Sequence, residues 1–85
     1  MITNNVNLTA TAQIKAGNGV LVGMYVNSTN SGTVKLWDSL TASGTVLNNT
    51  ITPAVGYHEL GNTSFNTGLF FTKGGTAIDV TFYYA

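Results

Sequence analysis

The strongest constraint on the fold is the regular spacing of turn-forming residues along the chain. Glycine, proline, asparagine and serine cluster in six short stretches, with strand-length pieces between them: 17–19, 29–32, 42–44, 53–56, 61–62 and 73–75. Intervals of about 8 to 12 residues, filled with Val, Thr, Tyr and Phe, are typical of antiparallel sandwiches and barrels. No window places apolar residues at helical spacing. We therefore predict an all-β chain, an antiparallel β-sandwich or jelly-roll-like barrel of about seven or eight short strands.

The alternation of apolar and polar residues predicts which side chains fill the core, because successive side chains of a strand point to opposite faces. Lys35 and Trp37 then share the face opposite the core. Phe70 and Phe71 are adjacent, so one ring must leave the core and becomes a candidate contact. The positions predicted to point inward are Val20, Val22, Met24, Val26, Val34, Leu36, Ile78, Val80, Phe82 and Tyr84.

The size and the charge of the chain predict that it associates with other proteins. A chain of 85 residues forms one domain, and it is only slightly longer than the roughly 80 residues below which chains usually need disulfides, a metal or oligomerisation to fold stably. Cysteine is absent, and charged residues make up 7% of the chain, against about a quarter in a typical domain. We expect a flexible N-terminal arm at residues 1–7 and a single β-sandwich domain at residues 8–85.

The sequence predicts no catalytic, cofactor or metal site. His58 and Glu59 are neighbours in a predicted strand, so they project to opposite faces and cannot form a dyad. Asp38 and Ser39 could be combined with His58 into a nucleophile set, but the Gly-x-Ser-x-Gly context of such sites is missing. No cluster of His, Asp or Glu has the spacing of metal ligands. The chain is therefore not expected to be an enzyme.

Nucleic acids and membranes are also disfavoured as partners. Three lysines without any arginine cannot supply the phosphate neutralisation on which nucleic-acid affinity rests. The longest mostly apolar run, residues 19–26, is far shorter than the roughly 20 residues of a spanning helix. Residues 1–7 lack the basic and apolar regions of a secretory signal, so we expect synthesis in a cytoplasm.

Trp37 is the residue most open to a functional interpretation. It could be covered by the second sheet of the sandwich, anchor a protein interface beside Lys35, or stack on a sugar; burial is favoured because most tryptophans are largely buried. Tyr25, which alternates away from Val26, and Tyr57 are similar candidates, because a tyrosine ring can pack while its hydroxyl meets water or a partner.

Four segments of the chain resemble small structural proteins encoded by tailed bacteriophages. They read GVLVGMYVNS at 19–28, GTVKLWDS at 32–39, GLFF at 68–71 and GGTAIDVTFYY at 74–84. The corresponding patterns in that group are G-V-L-x-G-x-x-V-N-S, G-T-V-x-L-x-D, a G-L strand and a terminal D-V-T-x-x-Y strand. The resemblance covers roughly residues 17–84, and it implies a virion β module.

Two functions follow from this resemblance as expectations. The first is a capsid decoration, or cement, protein that associates as a homotrimer, binds the major capsid protein on the outside of the phage head and stabilises capsomer contacts. The low charge and the polar arm at residues 1–7 favour it.

The alternative is a tail or fibre module that binds glycan or protein on the host surface through Trp37, Tyr57 and Asn-rich loops. We expect the chain on the capsid surface of the virion, made in the host bacterial cytoplasm. The candidate interface residues are Ile2, Val6, Lys35, Trp37, Tyr57, His58 and Phe70.

Overall fold

The computed structural model describes residues 3–85, and every regular element within them is a β-strand. The strands are β1 (Asn4–Leu8), β2 (Ala12–Ala16), β3 (Gly19–Asn30), β4 (Thr33–Asp38), β5 (Thr45–Ile51), β6 (Gly56–Phe65), β7 (Gly68–Gly74) and β8 (Ala77–Tyr84). Over residues 3–85 there is consequently no helix of the length and apolar character that crossing a membrane requires.

The eight strands form two four-stranded antiparallel sheets that pack as a sandwich. Sheet A has the order β1-β8-β3-β6 and sheet B the order β2-β7-β4-β5. The pairs β4–β5, β3–β6, β2–β7 and β1–β8 are nested within one another and alternate between the sheets. The chain is therefore one long antiparallel hairpin folded across two layers. The predicted sandwich is confirmed, and the described strands do not close into a barrel.

The core lies between the two sheets and consists of apolar side chains from both. The phenyl rings of Phe71 and Phe82, one from each sheet, pack with their centroids 4.9 Å apart. Phe71 is fully buried while Phe70 is half-buried, which confirms that one ring of this pair leaves the core. Tyr84 packs against the edge of the core. The buried members predicted from alternation are Met24, Val26, Val34, Leu36, Ile78, Val80 and Phe82.

Alternation was wrong for the first half of β3, where a β-bulge changes the side-chain order. The register against β6 and β8 shifts between Leu21 and Gly23, and a bulge turns the following side chains to the other face. Leu21 is consequently buried, whereas Val20 and Val22, which were predicted to point inward, are only half-buried.

The predicted turn at residues 61–62 is also wrong, because both residues lie inside β6. Gly61 and Asn62 have positive φ angles of 76° and 51°, a conformation that glycine and asparagine adopt most readily. Glu59 pairs with Gly23 and Thr63 pairs with Leu21, so three residues of β6 lie opposite the single residue Val22 of β3. Gly61 and Asn62 are two of those three residues. The left-handed residues therefore bend a strand instead of ending it.

The N-terminal segment differs from the expected arm. Within residues 1–7, the part from Asn4 onward belongs to β1 (Asn4–Leu8), which pairs with β8. Val6 lies opposite Phe82 and packs against the core. The alternating apolar residues of this short segment give it an inner face, so it completes the edge of sheet A.

Candidate binding surfaces

The outer face of sheet B carries a row of side chains with one member from each strand. Gln13 lies opposite Phe70, and Phe70 lies opposite Trp37. Trp37 in turn lies opposite Val46, which is 40% exposed. Directly opposed residues of antiparallel strands share a face, with Cβ atoms about 4.5–5.5 Å apart. We call these four residues the aromatic row; three of them, Phe70, Trp37 and Val46, are apolar and lie next to one another across β7, β4 and β5.

Local contacts hold the Trp37 indole against the sheet. Its Nε1 donates a hydrogen bond of 3.1 Å to the Thr72 hydroxyl, which donates to the Lys35 carbonyl at 3.3 Å. The Lys35 ammonium lies 4.3 Å from the indole centroid, a cation–π contact. The ammonium thus covers one face of the ring, and a sugar that stacked on that face would have to displace it. Trp37 is half-buried on the outer face of sheet B, so the interpretation as a core residue is wrong.

The outer face of sheet A carries three tyrosines. Tyr25 lies opposite Tyr57, and Tyr83 lies opposite Gly23 on the neighbouring strand. The rings of Tyr57 and Tyr83 have centroids 6.3 Å apart and planes inclined at 51°. Tyr57 is 49% exposed, Tyr25 is 42% exposed, and Tyr83 is half-buried. We call Tyr25, Tyr57 and Tyr83 the tyrosine face.

A polar ladder crosses the same sheet beside the tyrosine face. The Asn7 amide donates to an Asp79 carboxylate oxygen at 2.6 Å and to the Thr81 hydroxyl at 3.2 Å. From the other side the Asn27 amide donates to the same two atoms at 3.2 and 3.1 Å. Two amides thus fix one carboxylate and one hydroxyl across three strands. The result is an ordered array of groups that can exchange hydrogen bonds with a ligand.

The Tyr57 hydroxyl has a raised pKa. Partial desolvation of the phenol is the main cause, and the nearby Glu59 carboxylate adds to it by repelling the phenolate and accepting a hydrogen bond from the neutral form. A raised pKa keeps the hydroxyl protonated well above neutral pH. Tyr57 therefore presents a neutral ring with a hydrogen-bond donor.

The structure separates the predicted interface residues into different groups. Lys35, Trp37 and Phe70 are brought together on the outer face of sheet B. Tyr57 lies on the other sheet, so it cannot share one binding site with Trp37. Val6 packs against the core and His58 is half-buried, so neither joins these surfaces. Ile2 lies outside the described residues.

His58 and Glu59 project to opposite faces, as predicted. Glu59 pairs with Gly23 on the outer side of sheet A, and His58 pairs with the buried Met24. The His58 Nε2 atom lies 2.8 Å from the Ala54 carbonyl oxygen. That contact ties the imidazole to the segment that precedes β6.

Asp38 has a structural role at the other end of the sandwich. Its carboxylate accepts hydrogen bonds from the backbone N–H groups of Asn66, Thr67 and Gly68 at 2.8–3.3 Å. These bonds, the one from Asn66 foremost, lower the pKa of Asp38. Asn66 is eight residues beyond His58, with roughly 3.3 Å per residue along a strand, so Asp38 and His58 lie far apart. Residues 3–85 contain no group of three potential metal ligands.

Sequence reasoning missed the pairing of Tyr57 with Tyr83 and the turn at Asn66 and Thr67. The alternation of β8 placed Tyr83 outward, but only the strand order brings it beside Tyr57. The turn contains neither glycine nor proline, and its stabilising carboxylate comes from 28 residues earlier. Both features depend on contacts between distant parts of the chain.

Comparisons with protein-family models, with curated proteins and with solved structures find no match for this chain.

Proposed function

We propose that this chain is a non-enzymatic virion structural protein, a decoration protein that binds the outside of a phage head through the outer face of sheet B. The observation that carries the proposal is the aromatic row, in which Phe70, Trp37 and Val46 form a continuous apolar stripe on an outward face. Interface centres are enriched in aromatic residues and depleted of charge. Lys35, a charged side chain beside the row, is packed on Trp37.

The dimensions of the sandwich suit a protein interface. Its Cα atoms extend over 31 × 28 × 17 Å, and the thin direction is the one in which two sheets stack. A face of about 31 by 28 Å is comparable with the roughly 800 Å² that each partner contributes to a standard interface. Contacts with several capsid subunits and with other copies, expected as a homotrimer, would add avidity.

The nested pairing of strands also supports this proposal. Such pairing fits a jelly roll, an architecture found in viral capsid and lectin domains. Because one fold hosts many functions, this fit raises the plausibility of a virion role without assigning the partner. The phage resemblance at residues 17–84 supplies the choice of the major capsid protein.

A tail or fibre module that binds host-surface glycan is the second candidate. The exposed ring of Tyr57 favours it, because an accessible aromatic ring beside ordered amides can take a sugar. Trp37 is the other aromatic residue expected for that role, and one face of its ring is already covered by Lys35.

Immunogold electron microscopy of purified virions, with antibody raised against this chain, tests the location. Dense labelling of heads would support decoration. Label confined to tails or fibres would refute decoration in favour of the second candidate, and absence of label from the virion would refute both.

Two matched valine variants then test the face. Val46→Lys places a charge in the aromatic row, and Val55→Lys places the same charge at a position that is 61% exposed and outside the row. We expect Val46→Lys to abolish rebinding to heads that lack the protein, and Val55→Lys to rebind normally. Equal rebinding by both variants would contradict the assignment of the face.

A further inference from the structure

A cleft lies on the tyrosine face, where the Tyr57 and Tyr83 rings converge. The two rings are inclined at 51° and line a depression of about 310 Å³ together with Val22 and Thr3. Val22 contributes because the β-bulge after Leu21 shifts the side-chain order of β3. Two aromatic rings therefore line the cleft, together with the small apolar side chain of Val22 on β3, the strand between β8 and β6.

Gly23 is the residue that allows this arrangement. A Cβ atom there would overlap the Tyr57 phenol oxygen, and it would lie 2.7 Å from Tyr57 Cζ and 2.9 Å from the His58 carbonyl oxygen. The phenol of Tyr57 thus leans over the bare backbone of β3 toward Tyr83. Any larger residue at position 23 would push Tyr57 away and open the cleft.

Polar groups surround the aromatic walls. In the register of sheet A, Glu59 lies opposite Gly23 and Asn5 lies opposite Tyr83. The polar ladder of Asn7, Asn27, Asp79 and Thr81 continues the surface along β1, β8 and β3. Amides and carboxylates offer the donors and acceptors that the hydroxyl groups of a sugar need.

The distribution of charge on sheet A favours a neutral ligand over an anionic one. All three lysines, Lys15, Lys35 and Lys73, belong to strands of sheet B. Within residues 3–85, the charged side chains on the outer side of sheet A are Glu59 and Asp79, and both are acidic. An anionic ligand would be repelled there, whereas a neutral ligand would not.

We propose that the Tyr57–Tyr83 cleft is a binding site for one pyranose ring of a neutral saccharide. The apolar face of the sugar stacks on the tyrosine rings, and its hydroxyl groups bond to the polar side chains next to the rings in the sheet register, Glu59 and Asn5. The volume of about 310 Å³ is at the small end of the range for ligand sites, roughly 300–1,000 Å³, and therefore suits a single ring. This proposal deepens the second candidate function, and the geometry of the site is the same whether the chain sits on the head or on the tail.

The test is a titration of the full chain with single sugars, followed by two-dimensional amide NMR. The probes are methyl β-glucoside, methyl β-galactoside, methyl α-mannoside and N-acetylglucosamine, with N-acetylneuraminic acid as the anionic probe. We expect about millimolar affinity for at least one neutral probe, since one shallow site makes few contacts. The amide shifts should be confined to β1, β3, β6 and β8.

Three variants make the assignment specific. Tyr57→Ala should weaken binding about tenfold, the loss expected when a ring contact is removed, while Tyr57→Phe keeps the ring and should retain most of the affinity. Val55→Ala, at an exposed position outside both surfaces, should bind as the wild type does. Amide spectra with unchanged dispersion will show that each variant is folded.

Three results would overturn the proposal: no shifts with any neutral sugar, full affinity in Tyr57→Ala, or binding of N-acetylneuraminic acid as tight as that of the neutral probes. The titration uses purified protein, so its outcome is independent of the virion labelling that tests the proposed function.

Discussion

The loss of unfolding free energy when Asp38 is replaced reports how much one carboxylate stabilises the connection between the two sheets. Asp38 ends β4 of sheet B, and its oxygens accept the three N–H groups at the turn from β6 to β7, where the chain crosses from sheet A to sheet B. The arrangement resembles a helix N-cap, in which one side chain satisfies successive backbone donors. Loss of such a cap costs about 0.5–2 kcal/mol.

The magnitude is set by the charge of the acceptor and by its exposure. Hydrogen bonds to charged groups contribute about 1.5–3 kcal/mol each when buried, but solvent screening reduces this at a partly exposed carboxylate. We therefore expect Asp38→Ala to lower the free energy of unfolding by about 2 kcal/mol. For a domain of this size, that corresponds to a fall in Tm of roughly 8–16 °C.

Asp38→Asn is the matched control, because it keeps one acceptor oxygen and loses the charge. It should cost about half as much, near 1 kcal/mol. The pKa of Asp38 is lowered from 3.8 in the folded state, so the carboxylate stabilises the fold above that value. Its contribution is lost as the pH falls through the lower, folded pKa. The difference in stability between wild type and Asp38→Asn should therefore shrink in acid.

Urea denaturation at neutral and acidic pH, with calorimetry at neutral pH, measures these differences. The reasoning would be refuted if Asp38→Ala unfolded within about 0.5 kcal/mol of the wild type, the usual range for a neutral surface change. A gap between wild type and Asp38→Asn that stayed constant down to acid pH would show that the charge contributes nothing.

Two further predictions concern the core and the tyrosine face. Phe82→Ala should cost about 3–5 kcal/mol and unfold the chain at moderate temperature, because Phe82 is fully buried against Phe71; thermal melting followed by circular dichroism measures this, and a near-native Tm would contradict the assigned core. Glu59→Gln should lower the raised pKa of Tyr57 toward 10, since it removes the negative charge that disfavours the phenolate. Ultraviolet titration of the tyrosines detects that shift, and an unchanged titration curve would show that burial alone raises this pKa.

The all-β class could be predicted from the sequence because its signals are local. Turn residues at regular spacing, β-branched and aromatic residues between them, and strict alternation in β8 each depend on neighbours only a few residues away. Those signals were sufficient for the all-β class and for the inward placement of Ile78, Val80 and Phe82. These local signals do not report the register of the strands, however, because the register depends on which strand pairs opposite.

The predictions for Val22, Gly61 and Asn62 were wrong because they depend on strand pairing, which local sequence patterns do not report. Val22 reads as a core residue by alternation, but the bulge opposite Gly61 and Asn62 turns the strand, and only the pairing of β3 with β6 reveals that bulge. Gly61 and Asn62 read as a turn, because their preference for positive φ angles is the same in a turn and in a bulge. Local preference thus specifies a backbone conformation without specifying what it is used for.

The sequence by itself determined the strand class, the low charge and the apolar positions of the regular strands. The tertiary structure decided which exposed side chains share a surface: Trp37 joined Phe70 on sheet B, while Tyr57 joined Tyr83 on sheet A. Those partners are 33 and 26 positions apart in the chain, and nested pairing between distant strands brings them together. Composition and periodicity report on neighbours in sequence, whereas a binding surface is made of neighbours in space.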